Sequence, residues 1–411
     1  MTASGKRILM VCMQYPLGPG QSYLTTELAE ALVADGHRVE VLHLDWDDAA
    51  RGEPRETVTG TGIRVLRCAA PEFRWLPLTL RHAAKFLLSG RAVTRLARRR
   101  IDLASFDIAI AWMPALAIAP LPRLLRRTVP HRLLFVWDFF PDHHREIGRI
   151  PGGLAFRVAR GLEQGLLGCF TAIICTLPGN ASYLRREYRI DPAQRVLVTP
   201  IWGPATPLPC SDRVALRSHY DLPQDRPIAV FGGQLVEGRG FEQMLAAARL
   251  GGDGDHGPLF LFVGDGRLAS MVGDAARINN CIRHLPAMSR ADYGVRLGAC
   301  DVGLVATVPG VRSFSIPSKT IDYLRAGLPV VAAIEPGNDF GTLLQTHGVG
   351  ISVPQGDPQA FRAAVNLVVK DPSARAQART AAAACLAAVF DPCHAVATVL
   401  AAAGSVAAPP A

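Results

Sequence analysis

The reading of the chain turns on one stretch, Ile228-Ala229-Val230-Phe231-Gly232-Gly233-Gln234-Leu235-Val236-Glu237-Gly238-Arg239-Gly240-Phe241. Four consecutive apolar residues read as a buried strand, the glycines as a tight turn, and the apolar spacing over 241–250 as a helix. Glycines at a strand end let backbone amides approach an anion closely, and Arg239 carries a forked donor pair suited to two phosphate oxygens. A strand, a glycine turn and a helix in that order form the repeating unit of a parallel sheet with crossover helices.

The same grammar extends in both directions. Downstream, 259–263 is a strand that runs into Gly264-Asp265-Gly266, and further strands are expected at 302–306, 329–333 and 349–353. Upstream, a strand at 7–13 leads through Gly18-Pro19-Gly20 into a helix marked by Leu24, Leu28, Ala31 and Leu32, which Gly36 stops. Strands are expected next at 38–44, 63–68, 107–113, 132–137, 171–176 and 195–200. The class is therefore α/β. A Pro-rich stretch without periodicity, 201–212, reads as a linker between domains 1–200 and 213–372. Beyond it, 373–411 is Ala-rich and expected to be helical to about residue 403, with a frayed tail; these helices can pack back on the first domain.

A second phosphate-type segment is Ile316-Pro317-Ser318-Lys319-Thr320-Ile321-Asp322-Tyr323-Leu324-Arg325-Ala326-Gly327-Leu328-Pro329-Val330-Val331. Ser318 is placed to cap a helix, Lys319 to hold a diphosphate, and Asp322 to accept hydrogen bonds from ribose hydroxyls. With Gly232, Gly233 and the turn Gly264-Asp265-Gly266, these loops gather at one predicted sheet edge, where ligands bind in open α/β sheets.

On these residues the chain resembles the retaining glycosyltransferases of family 4, the group that builds bacterial surface polysaccharides, with similarity to its aminosugar transferases. That resemblance implies the GT-B fold: two Rossmann-like, doubly wound domains facing across a cleft. The family signature Gly-Arg-Leu-x-x-x-Lys-Gly corresponds to Gly233-Gln234-Leu235-Val236-Glu237-Gly238-Arg239-Gly240, with Gln234 for its Arg and Arg239 for its Lys. Its paired glutamates, eight positions apart, fall on Phe314 and Asp322, so only the second acid is kept. The resemblance implies that Gly18 and Gly20 face acceptor and donor phosphate. A dinucleotide fingerprint fits this opening less well, since Tyr23 stands where the third glycine belongs, although Asp45 ends the second strand as a ribose-binding acid would.

The most polar cluster of the first half is Trp137-Asp138-Phe139-Phe140-Pro141-Asp142-His143-His144-Arg145-Glu146. Asp138 matches an Asp of the resembling subgroup and is the candidate to orient or deprotonate an acceptor hydroxyl, with His143 or His144 as the rival. A surface loop is the competing reading. No metal-ligand spacing is present, and 45–48 and 253–255 read as solvated turns, so neither cofactor nor metal is expected. A nucleotide-sugar then acts as co-substrate.

Over 73–100 there are eight basic residues and no acids, interleaved with Trp75, Leu80, Phe86 and Leu87. This pattern suits an anionic membrane surface, or simply a helix with an exposed basic face. The net charge of +9 agrees with a phosphate-bearing partner, and the absence of aromatic platforms argues against nucleic acid.

With 411 residues, 49% apolar and 19% charged, the chain suffices for two or three cored domains, which excludes wholesale disorder. Nine cysteines without a CxxC pair read as thiols of a reducing compartment. The apolar run 108–122 is broken by prolines and is shorter than a membrane span, and no secretory leader is evident. The expectation is a cytoplasmic enzyme, peripheral on the inner membrane face, that moves a sugar from a UDP- or GDP-sugar to a glycan or polyprenyl-diphosphate-linked acceptor. A sugar-nucleotide epimerase of the same fold, or a catalytically silent binding protein, are the alternatives.

Overall fold

A computed structural model describes residues 5–18, 22–46, 54–73, 75–209, 212–250, 257–313 and 315–404. The chain divides into two compact units. One comprises 1–144, 150–203 and 392–411, the other 145–149 and 204–391. The division after Gly203 falls inside the expected linker.

The first unit carries an eight-stranded sheet of β1 (Arg7–Cys12), β2 (Arg38–Asp45), β3 (Arg55–Val58), β4 (Arg64–Ala69), β5 (Ile108–Trp112), β6 (His131–Val136), β7 (Ala172–Cys175) and β8 (Arg195–Val198). Their order is β3-β4-β2-β1-β5-β6-β7-β8, parallel throughout except for the antiparallel pair β3–β4. Register sets Ile8 opposite both Val39 and Ile108. Every residue of β5 is buried, as a parallel strand covered on both faces by helices requires. Strand order reverses at β1, between β2 and β5.

The second unit holds six parallel strands: β9 (Ile228–Gly232), β10 (Leu259–Val263), β11 (Ile282–Leu285), β12 (Val302–Ala306), β13 (Val330–Ile334) and β14 (Gly350–Pro354). They are ordered β11-β10-β9-β12-β13-β14, and the reversal falls between β9 and β12. Phe231, Phe241, Phe260, Phe262 and Phe361 fill its core without solvent exposure beyond 1%. Each such ring is worth roughly 1.5–3 kcal/mol of burial.

Two strands lie outside the sequence expectation. All four residues of β3 are exposed, and β11 is Ile-Arg-His-Leu with only Ile282 buried. Both are sheet edges, where the apolar signal is weak.

The Ala-rich end is two helices, Pro372–Val389 and Pro392–Ala402. Phe390, fully buried, and Asp391 interrupt it just before Pro392, where helical geometry is disfavoured. The first of them stays with the second unit; only the second joins the first unit, against the helix Leu24–Ala34 and β8. The region 376–402 also exceeds the run 108–122 as an apolar stretch, with a mean hydropathy of 1.7 that suits a membrane span by length and composition. Its buried residues, among them Cys385, Leu386, Phe390, Val396 and Val399, are already engaged in protein packing. None of the described cysteines forms a disulfide, and among them only Cys393 is exposed; Cys210 lies outside the described residues.

Candidate functional site

In the second unit the glycine loops do converge at the carboxyl ends of β9, β10 and β12. Backbone crowding explains the glycines. A Cβ on Gly264 would fall 1.9 Å from the Gly233 carbonyl oxygen, and one on Gly266 2.3 Å from that of Leu235. The two loops are further tied by the Leu235 amide, which donates to the Asp265 carbonyl at 2.9 Å. Asp265 spends a carboxylate oxygen on the Ala287 amide at 3.0 Å. Gly232 donates its amide to the Tyr323 hydroxyl at 3.1 Å, which fixes the strand end against the helix Lys319–Arg325. Gly240, left-handed at φ 61°, opens the helix Phe241–Arg249 directly against Ala306 and Thr307 of the β12 end.

Lys319 reaches into this junction. Its Nζ lies 3.2 Å from the centroid of the Phe231 ring, and a Cβ on Gly233 would lie 3.7 Å from that nitrogen. Burial, and secondarily the nearby Arg239 guanidinium, push the Lys319 ammonium well below the ordinary lysine pKa. Arg239 and Gln234 are exposed. Lys319 and Arg239 thus form a cationic pair on a glycine-lined sheet edge, one member of it partly desolvated.

One expectation is corrected. Ser318 stands at the helix start but makes no side-chain cap, because its backbone is already helical (φ −58°, ψ −29°) and a capping hydroxyl needs an extended residue to reach back. The helix it precedes has only seven residues, so the cation rather than a helix dipole supplies the charge. Asp322 is not idle: its Oδ1 accepts from Arg290 Nη2 at 3.1 Å and Nε at 3.3 Å. Asp322 is thus half of an ion pair with Arg290. Phe314 and Gly20 lie outside the described residues, as do Asp47, Asp48 and 253–255.

In the first unit, Gly18 is half-buried beyond β1. Asp45 is drawn into an ion pair with Arg67, its Oδ2 accepting from Nε at 2.6 Å, so the carboxylate of the dinucleotide reading is already engaged by an arginine. The polar cluster after β6 separates into unlike parts. Asp142 is buried and structural, bound by both oxygens to Arg160 Nη1 at 2.5 Å and by the Tyr188 hydroxyl at 2.7 Å. Asp138 is exposed, and His143 Nε2 stands 3.9 Å from its Oδ1. Both histidines are half-buried, and the His144 ring lies edge-on to Phe140 at 5.3 Å. The structure thus pairs Asp138 with His143 and sets His144 apart.

Residues 20–202 match the glycosyl transferase 4-like domain. The probable glycosyltransferase WbjE of Pseudomonas aeruginosa is 25% identical over 287 residues, 67% of this chain and 68% of that protein. The putative colanic acid biosynthesis glycosyl transferase WcaI of Escherichia coli K12 is 26% identical over 398 residues, 91% of this chain and 94% of its own. Among solved structures, HepE of Anabaena in complex with UDP and glucose superposes with a TM-score of 0.68 at 15% identity, over 98% of this chain and 100% of that one. The chain is a glycosyltransferase of the GT-B fold, with a glycosyl transferase 4-like domain over residues 20–202.

Several residues that shape this glycosyltransferase carry no local signal. Arg290 is aimed by the helix Arg290–Leu297, whose cap Ser289, accepting from the Asp292 amide at 3.1 Å, is legible; its pairing with Asp322, 32 positions on, is not. Glu163, fully buried, accepts from the amides of Ala115 and Leu116 at 2.7 and 2.8 Å and so caps a short turn 48 residues earlier. A cavity of about 370 Å³ lies elsewhere, at the amino ends of β12 and β13, lined by Arg213, Asp301, Gly327 and Arg379. It sits at the opposite sheet edge from the glycine loops. Among the described residues no three His, Cys, Asp or Glu side chains are grouped as a metal ion would need.

Proposed function

We propose that this glycosyltransferase takes its sugar from a nucleoside-diphosphate sugar, UDP-linked in preference to GDP-linked, bound on the second unit. The observation that carries this reading is the convergence of Lys319 and Arg239 on the glycine-lined ends of β9, β10 and β12. Main-chain amides and the two cations neutralise the diphosphate, and the same charges stabilise the negative charge that builds on it as the glycosidic bond breaks. Solved complexes of HepE with UDP and with UDP-glucose support the choice of nucleotide.

Asp138, with His143 beside it, orients or deprotonates the acceptor hydroxyl, and transfer proceeds with retention. Fixed protein charge does the work that a divalent cation does in other transferases, so EDTA leaves turnover intact. The acceptor is a glycan or lipid-linked glycan of a surface polysaccharide, a reading supported by the similarity to WcaI, a putative colanic acid biosynthesis glycosyl transferase.

Docking on an anionic membrane face rests on the helix Leu78–Arg100. Arg91, Arg95, Arg98, Arg99 and Arg100 are exposed along it, near the exposed apolar residues Trp75 and Leu87. Each near-surface charge contributes about 1 kcal/mol. Lys85 is the exception, since it donates to the Trp46 carbonyl at 2.6 Å.

Incubation with labelled UDP- and GDP-sugars, following nucleoside diphosphate release with and without lipid extract, tests the reaction. Release that needs the extract identifies a lipid-linked acceptor. Interconversion of sugars without release identifies an epimerase, and binding without turnover a silent receptor. Flotation with anionic vesicles, lost on replacing Arg91, Arg95 and Arg98 by Ala, tests the docking face.

A further inference from the structure

The short segment Arg145–Arg149 belongs to the second unit, although its neighbours on both sides belong to the first. It lies against the two loops that flank Lys319 and Arg239. Ile147 Cγ2 is 2.6 Å from where a Cβ on Gly238 would fall, and Arg149 Nε is 3.6 Å from Glu237 Oε2. Between them, Glu146 Oε2 accepts from the Arg312 amide at 3.2 Å and from the Ser313 hydroxyl at 2.8 Å.

The Glu146 side chain is only 5% exposed, and its other oxygen, Oε1, is buried without a hydrogen-bond partner, its charge met by an ion pair to Arg312 Nε at 3.8 Å. A carboxylate accepts through both oxygens, and a buried acceptor left empty calls for a donor. The apolar Phe314 follows directly on the two residues that Glu146 binds, at the position where the family resemblance places an acid.

We propose that Glu146 Oε1 accepts a hydrogen bond from a hydroxyl of the donor sugar, which makes Glu146 a sugar-discriminating residue delivered from 166 positions upstream of Arg312. The assignment rests on the donor reading above. It brings a carboxylate to residues 312 and 313 by tertiary means. The competing role is a staple, in which Glu146 only fastens its segment to residues 312 and 313.

Glu146→Gln separates the two roles. The amide oxygen can keep the Arg312 and Ser313 bonds, while an NH2 donor replaces the open acceptor. Calorimetric titration of UDP, UDP-glucose, UDP-N-acetylglucosamine and GDP-mannose into wild type, Glu146→Gln and Glu146→Ala reads the outcome. The expected result is that the best-bound sugar nucleotide loses roughly tenfold to hundredfold in affinity in both variants, the range for a hydrogen bond to a charged group, while UDP stays within about twofold of wild type. Wild-type behaviour of Glu146→Gln toward sugar nucleotides overturns the proposal, as does an equal loss for UDP and sugar nucleotides. A wild-type protein that binds neither UDP nor GDP-mannose overturns the donor reading itself, and this assignment with it.

Discussion

Lys319 and Arg239 show how far a single residue can be read. The sequence marks both as candidate phosphate ligands, yet the depression of the lysine comes from its burial against Phe231 beside Arg239, neither of which is a sequence neighbour of it. A lysine whose native pKa lies below its unfolded value binds fewer protons folded than unfolded. Stability then rises with pH between those two values, and an incoming diphosphate restores the charge. UDP binding at alkaline pH is therefore expected to take up a proton in wild type and not in Lys319→Ala, measured by calorimetry in buffers of different ionisation enthalpy. That variant also loses about tenfold or more in UDP affinity. Glu163 titrates with the opposite sense: burial pushes its carboxyl up to about 7 against the pull of two backbone amides. The native state holds a proton there that the unfolded chain has released, so stability falls as pH rises from 4.5 through 7. Urea unfolding should show this slope flattened in Glu163→Gln. The variant is less stable by about 1–3 kcal/mol near pH 5, since one amide loses its acceptor, and the gap narrows toward pH 8.

Among the elements, the buried parallel strands were legible because a strand covered on both faces is a continuous apolar run, as Ile108–Trp112 and Leu259–Val263 are. β3 and β11 escaped for the converse reason, since an edge strand has little to bury. The glycine turns were legible as turns, but why each must be glycine is a matter of tertiary crowding. Gly264 is the sharpest case, with φ 151° and the Gly233 carbonyl occupying the space of a side chain. Gly264→Ala is expected to cost about 1–3 kcal/mol of stability, read by thermal unfolding, and to weaken UDP binding by displacing the loop beside Lys319. The Ser318 cap failed at this scale too, because a serine before a helix specifies a cap only when the chain arrives extended.

For the whole molecule, two sheets with separate cores account for most of the buried apolar residues, and the chain's last helix serves the first of them. Ala395, Val396, Val399 and Ala402 are buried, and Arg195 of β8 donates to the Ala401 carbonyl. Truncation after Asp391 should therefore lower the unfolding temperature of the first unit by several degrees while UDP still raises that of the second. Scanning calorimetry with and without UDP checks both halves of this expectation.

The local alternation of apolar runs, glycine turns and amphipathic helices was enough by itself to determine the α/β class, its parallel core strands and the loops that bear Gly233, Gly264 and Lys319. These features depend on neighbours within a few residues. Tertiary structure alone decided that Asp322 meets Arg290, that Asp142 is spent on Arg160 and Tyr188, and that Glu146 lies beside Ser313. Each of those pairings joins side chains that are distant in sequence, and a short-range pattern holds no information about which of many possible partners folding will bring within hydrogen-bond reach.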